Sequence, residues 1–155
     1  MMKELPHTHS CFVCGESNPH GLKLRFHAEG NVVTAKFRPC PDHIGFKGVV
    51  HGGITATVLD EIMVWACVVA TRKFAFCAEL NVRYLRPLAP GEEVVVTSEL
   101  VADRKGRILE AKAAMHNAAG KVIVEAAGKY IPLKEVDSAE MVRDFVGDPD
   151  WLKQL

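Results

Sequence analysis

The stretch "HGGITATVLDEIMVWACVVA", residues 51–70, constrains the fold of this chain more than any other. From Ile54 to about Thr71 it contains neither glycine nor proline, and its length suits a helix of several turns. The run is apolar almost all round, so the helix must be wrapped by other elements. Two adjacent carboxylates, Asp60 and Glu61, stand in its middle. At helical spacing Asp60 neighbours Ala56, Thr57, Met63 and Val64, while Glu61 neighbours Thr57, Val58, Val64 and Trp65. Neither acid meets a basic partner. An unpaired carboxylate in an apolar setting is costly and tends to take up a proton. A chain that keeps one there has either a distant partner or a chemical use for it. For Glu61 the simpler reading is a reach to an exposed rim; for Asp60 it is a cleft carboxylate acting as general base or nucleophile.

The segments around this helix read as strands. Leu22, Leu24, Phe26 and Ala28 alternate with polar residues, Gly30-Asn31 is a turn signal, and "VVTAKF" (32–37) follows as a hairpin partner. Further strands are expected at about 76–85, 93–102, 107–117 and 121–131. Hairpin signals fall at Pro87 to Gly91, Arg104 to Gly106 and Ala119-Gly120. Residues 1–21, with the turn formers of "CGESNPHG", are expected to be an irregular lead-in. Asp137 with Glu140 resembles a capping box for a short helix at about 138–146, with the rest of 137–155 as tail. The expected architecture is α+β: one long helix against one antiparallel sheet of five to six strands, in a single domain over 1–155. One sheet cannot cover a helix that is apolar on all sides, so a second copy of the chain is expected to cover the remainder.

Charge and cysteine usage exclude several classes. Lys plus Arg and Asp plus Glu number 19 each, and this zero net charge argues against a nucleic-acid binder. The opening "MMKELPHTHS" lacks the apolar core of a signal peptide, and Thr55, Thr57, Asp60 and Glu61 interrupt the only stretch long enough to span a membrane. Five cysteines do not make a disulfide framework, so a cytoplasmic location is expected.

His51-Gly52-Gly53 at the helix start supports a catalytic reading. Glycine lets a ligand approach the backbone, and the first N–H groups of a helix have no internal acceptor. Such an end can hold the oxyanion of a tetrahedral intermediate. Asp60 lies nine residues beyond His51, about 13–14 Å along one helix, too far for both to serve one carbonyl. The Asp60 of one subunit is therefore expected to meet the His51-Gly52-Gly53 end of another.

The residues "GVVHGGITATVLDE" together with "AELNVRYLRPL" (78–88) resemble hotdog-fold thioesterases of the phenylacetate-degradation and mammalian thioesterase-superfamily type. The resemblance runs from about Cys11 to Ile131. It implies a long central helix wrapped by a curved antiparallel sheet, hydrolysis of acyl-CoA thioesters, assembly as homodimers or dimers of dimers (homotetramers), and no cofactor. Position by position it implies Asp60 as the catalytic carboxylate, Gly52 as the N–H donor to the thioester carbonyl, and His51, with Gly53, as holding that site. Cys77 stands where several relatives have Ser or Thr to position the attacking water, and a thiol is a weaker hydrogen-bonding group. Some relatives carry Asn or Gln before the HGG motif; here only Asp42 or His43 stands near. Arg104, Lys105 and Arg107 are candidates for CoA phosphates, with Arg83 and Arg86 ambiguous, and Glu61 is a candidate substrate contact. Met63, Trp65, Phe74 and Phe76 either line an acyl pocket or are core. A hydratase on this fold uses a different Asp and His setting; a non-catalytic acyl-CoA-binding module is the rival of another class.

His7, His9, Cys11 and Cys14, with Cys40 and His43 later, have zinc-like spacing at one end, but no second Cys-x-x-Cys follows. The cysteines read as small residues packing a turn, with no metal in the chemistry; any metal bound here would be structural.

Overall fold

The computed structural model describes residues 1–134 and 140–147. The long run forms helix α1, Gly52–Thr71. It opens two residues earlier than the unbroken apolar run implies, because the His51 ring caps it: Nδ1 accepts the Gly53 backbone N–H at 2.9 Å. It ends at Arg72, which takes the left-handed conformation (φ 61°) and donates its N–H to the Val68 carbonyl. Many of its residues are β-branched, so packing rather than propensity holds it. Val58, Leu59, Ile62, Met63, Ala66, Cys67 and Val68 are wholly shielded. By length and hydropathy this helix could cross a membrane; in the fold half of it is buried.

The strands are β1 (Lys3–Glu4), β2 (His7–Thr8), β3 (Phe26–Glu29), β4 (Val32–Phe37), β5 (Ala75–Tyr84), β6 (Val94–Arg104), β7 (Ile108–His116), β8 (Val122–Pro132) and β9 (Phe145–Val146). Seven form one antiparallel sheet in the order β1-β3-β4-β6-β7-β8-β5, and β2 pairs with β9 separately. Helix α1 packs against β3 through β8. Alternation decides which side chains meet it: Val33, Ala35 and Phe37 from β4, and Val124, Ala126 and Tyr130 from β8, all point inward.

The expected α+β class and long wrapped helix are observed, and four details differ. The sheet has seven strands rather than five or six, because β1 in the lead-in pairs with β3, and β2 is also a strand, so residues 1–21 are not wholly irregular. The strand expected from Leu22 starts only at Phe26. Lys23 sits at φ 55°, and its Nζ bonds the Glu16 and Asn18 carbonyls at 2.8 and 3.0 Å, turning the chain before pairing begins. Pro87 to Gly91 is a crossover rather than a hairpin. β5 pairs with β8 and not with β6, while buried Leu88 accepts the Val50 N–H and Gly91 donates to Pro39. Finally, Phe145–Val146 pairs with His7–Thr8 where a helix was expected to reach 146; the cap expected at Asp137 lies outside the described residues.

Candidate active site

The start of α1 is built around the two glycines. With Gly53 N–H taken by the His51 ring, the acceptor role falls to Nδ1, so a neutral His51 carries its proton on Nε2. Among the described residues no acceptor is recorded for the Gly52 N–H. The Gly52 carbonyl accepts the Tyr84 hydroxyl at 2.6 Å. A Cβ on Gly52 would come within 3.2 Å of that hydroxyl, so the close approach uses the missing side chain. Gly45 packs equally tightly on the His51 ring. Gly45, His51, Gly52 and Tyr84 border an open cleft of about 590 Å³, lined also by Phe46, Thr55, Arg86 and Pro87. Phe46 is 85% exposed at its edge.

Asp60 is half-buried further along the helix, and its Oδ1 accepts the Tyr130 hydroxyl at 2.9 Å. Tyr130 is fully buried and its hydroxyl is pushed to a higher pKa, first by burial and then by the Asp60 charge, so it stays a donor. Its ring fits because Gly128, two residues earlier on the same inward face, has no Cβ; one there would lie 2.6 Å from Tyr130 Cε2. Cys77 pairs with Tyr130 across β5 and β8, and a bulge between Cys77 and Glu79 follows. Bulges re-aim side chains beside active sites. Burial, then the neighbouring Asp60 charge, raises the Cys77 pKa, so Cys77 is a thiol that can donate to the carboxylate. The side chain at 77 thus adjoins the acid, where the resemblance implies a hydroxyl.

Glu61 faces elsewhere. Its Oε1 accepts both the Cys11 and Cys14 thiols at 3.7 Å, on the side of the helix that meets the N-terminal segment. Burial raises its pKa to about 8. Glu61 borders a second cavity, of about 460 Å³, and not the cleft at Gly52.

Within one chain several expected residues stay apart. Arg104, Lys105 and Arg107 lie at the β6–β7 hairpin tip. The tip adjoins Lys73, just past the C-terminal end of α1, and Arg104 pairs there with Glu110 at 3.1 Å. None of the three lines the cleft. Asp42 and His43 form a short turn outside it, with His43 Nδ1 accepting the Cys40 N–H. Met63 is buried core, Trp65 and Phe74 are buried and also line the cavity beside Glu61, and Phe76 is half-exposed on β5. His7 and His9 both bind Glu16 rather than the cysteines.

Sequence reasoning missed Tyr130 and read Tyr84 as a strand residue. The signal for Tyr130 was available: it follows Val124, Ala126 and Gly128 in an inward register whose small members leave space for one large polar ring.

The family model described as Thioesterase superfamily matches residues 47–124, a span holding His51, Gly52, Asp60 and Cys77. Acyl-coenzyme A thioesterase 13 of Homo sapiens is 28% identical over 85 residues, which are 54% of this chain and 61% of that protein. The chain thus spans less than two thirds of the curated relatives it matches. Among solved structures, a thioesterase superfamily protein superposes with a TM-score of 0.72 at 25% identity, covering 80% of this chain and 60% of that one. The PaaI protein from the phenylacetic acid degradation operon of E. coli gives 0.66 at 16% identity, covering 73% and 81%. One long helix in a large antiparallel sheet, shared with these structures, is the hotdog fold.

Proposed function

This chain belongs to the thioesterase superfamily, and from that premise we propose that it hydrolyses acyl-CoA thioesters to the free acid and CoA. The observation that carries the reading is a carboxylate and an N–H of matched roles. Asp60 is held by Tyr130 in a half-buried setting, and Gly52 lines a cleft with its N–H bonded to no acceptor among the described residues. The thioester carbonyl oxygen accepts the Gly52 N–H, aided by the helix dipole, while His51 fixes the backbone around it. Asp60 either takes a proton from water as the water oxygen attacks the carbonyl carbon, or attacks that carbon itself. In both routes the C–S bond breaks and CoA leaves as thiolate, which takes up a proton; in the second, water then hydrolyses the acyl anhydride formed on Asp60, releasing the acid and restoring the carboxylate. The Cys77 thiol adjoins the acid and helps orient the water.

The two groups lie on one continuous helix, so they act across a subunit interface in this reading. The ten-residue strand β5 supports such an assembly: it is a sheet edge, and Phe76 and Tyr84 on it are 51% exposed. Tip residues Lys105 and Arg107, without ion pairs among the described residues, are then the cations for CoA phosphates, with Arg86 at the cleft itself. The odd number of cysteines supports a reducing compartment such as the cytoplasm.

Release of CoA thiol from a panel of short, medium, long and aryl acyl-CoAs tests the proposal. Turnover of at least one class is expected. Saturable binding without turnover of any would replace the enzyme with an acyl-CoA-binding module.

Tyr130→Phe removes a hydrogen bond to a charged group, an interaction of about 1.5–3 kcal/mol, so kcat should fall roughly 10- to 100-fold. KM should change little, while the melting temperature falls by several degrees because the same bond also stabilises the fold. An unchanged kcat would show that the hydroxyl does not hold the reacting carboxylate.

A further inference from the structure

We propose that Cys11, Cys14 and Glu61 form a binding site for one thiophilic divalent cation, zinc, with a fourth position open to the adjoining cavity. Cys11 and Cys14 lie outside residues 47–124, and Glu61 turns away from the cleft at Gly52, so the site takes no part in the thioester chemistry and stands independently of that reading.

The three ligand atoms already converge. Both sulfurs lie 3.7 Å from the same Glu61 oxygen, and all three atoms lie within 4.8 Å of one another. A tetrahedral zinc with Zn–S of about 2.3 Å and Zn–O of about 2.0–2.2 Å holds sulfur and oxygen about 3.5–3.7 Å apart. The observed spacing therefore accepts the ion with little movement.

The backbone turn is shaped for thiolates. In Cys-x-x-Cys-Gly the Val13 N–H donates to Cys11 Sγ at 3.3 Å, and the Gly15 N–H donates to the Cys11 carbonyl at 2.8 Å. Gly15 tolerates no side chain, since a Cβ would lie 2.2 Å from that carbonyl oxygen. Thr8 braces the turn: its hydroxyl accepts the Cys11 N–H at 2.9 Å and lies 3.6 Å from Cys14 Sγ. The Val13 N–H aimed at the Cys11 sulfur favours its charged, metal-binding form.

Charge and ligand type point the same way. Among the described residues no Lys, Arg or His bonds Glu61, whose partners are the two cysteine sulfurs, so the cluster offers a cation three ligand atoms and no competing positive charge. Two sulfur ligands select zinc-like ions over magnesium or calcium. The cavity of about 460 Å³ beside Cys11 and Glu61, with Thr8 and Ser10 on its wall, has room for a water as fourth ligand. The ion would fasten the N-terminal segment to α1 one residue past Asp60.

The test uses the tag-free full chain, reduced and stripped with a chelator, then titrated with Zn²⁺ against a chromophoric competitor. One zinc per chain at sub-micromolar affinity is expected. X-ray absorption should give two sulfur and two lighter ligands, and zinc should raise the melting temperature. Cys11→Ser and Cys14→Ser should each weaken binding at least 100-fold. Glu61→Gln should weaken it at least 10-fold with both sulfurs kept, and Cys40→Ser should not alter it. Less than half a zinc per chain, binding unchanged by Cys11→Ser, or a native Cys11–Cys14 disulfide with no zinc uptake after reduction would each overturn the proposal. Should a variant fail to fold, the wild-type sulfur count still decides.

Discussion

Replacing Asp60 with asparagine is expected to lower kcat/KM for acyl-CoA hydrolysis at least about a hundredfold, which corresponds to about 2.7 kcal/mol of transition-state stabilisation. Asparagine has nearly the same shape and keeps an oxygen to accept the Tyr130 hydroxyl, so the packing around position 60 survives. It can neither take a proton from water nor attack a carbonyl as a carboxylate does. Steady-state thiol release by the two proteins side by side, with matched thermal melts, checks this. Equal rates would remove the carboxylate from the chemistry and leave its position in an apolar helix without a catalytic account.

Ile62→Ala should have the largest effect on stability. Ile62 is wholly shielded, on the face of α1 that meets the sheet, and it is held by close packing rather than by any polar contact. Deleting a side chain of this kind costs about 2–5 kcal/mol, the lost burial plus the cavity left behind. In a chain of this size that lowers the melting temperature by roughly 5–20 °C. Activity at 25 °C should follow the folded fraction, because Ile62 carries no reacting group. A melt within a degree or so of wild type would mean that the sheet closes over the vacated space.

The two substitutions lie two residues apart on one helix and separate its two tasks. Its inner face holds the domain together by packing, while Asp60 answers to Tyr130 on the far strand of the sheet meander. The first task was legible in the chain because it rests on periodicity. The run without glycine or proline, the alternation of β4 and β6 to β8, and the turn at Gly30 all act over a few residues. The catalytic candidates at His51, Gly52 and Asp60 were legible for the same reason, since two local motifs in sequence order mark them.

What the sequence by itself determined is thus a long buried helix, an antiparallel sheet to wrap it, and a carboxylate and a glycine-led helix start too far apart for one carbonyl. Tertiary structure alone decided the partners. It set Tyr130 against Asp60 across 70 positions and Cys77 beside both through a bulge in β5. It sent β5 to the edge next to β8, because Leu88 docks against Val50 and carries the chain across. It turned Glu61 away from the cleft and onto Cys11 and Cys14, where the sequence pattern had pointed to the histidines. The physical reason is common to all four. A pattern of residues specifies which face of an element is buried, but a contact between distant elements depends on strand order and on the space small residues leave. Those are properties of the packed whole.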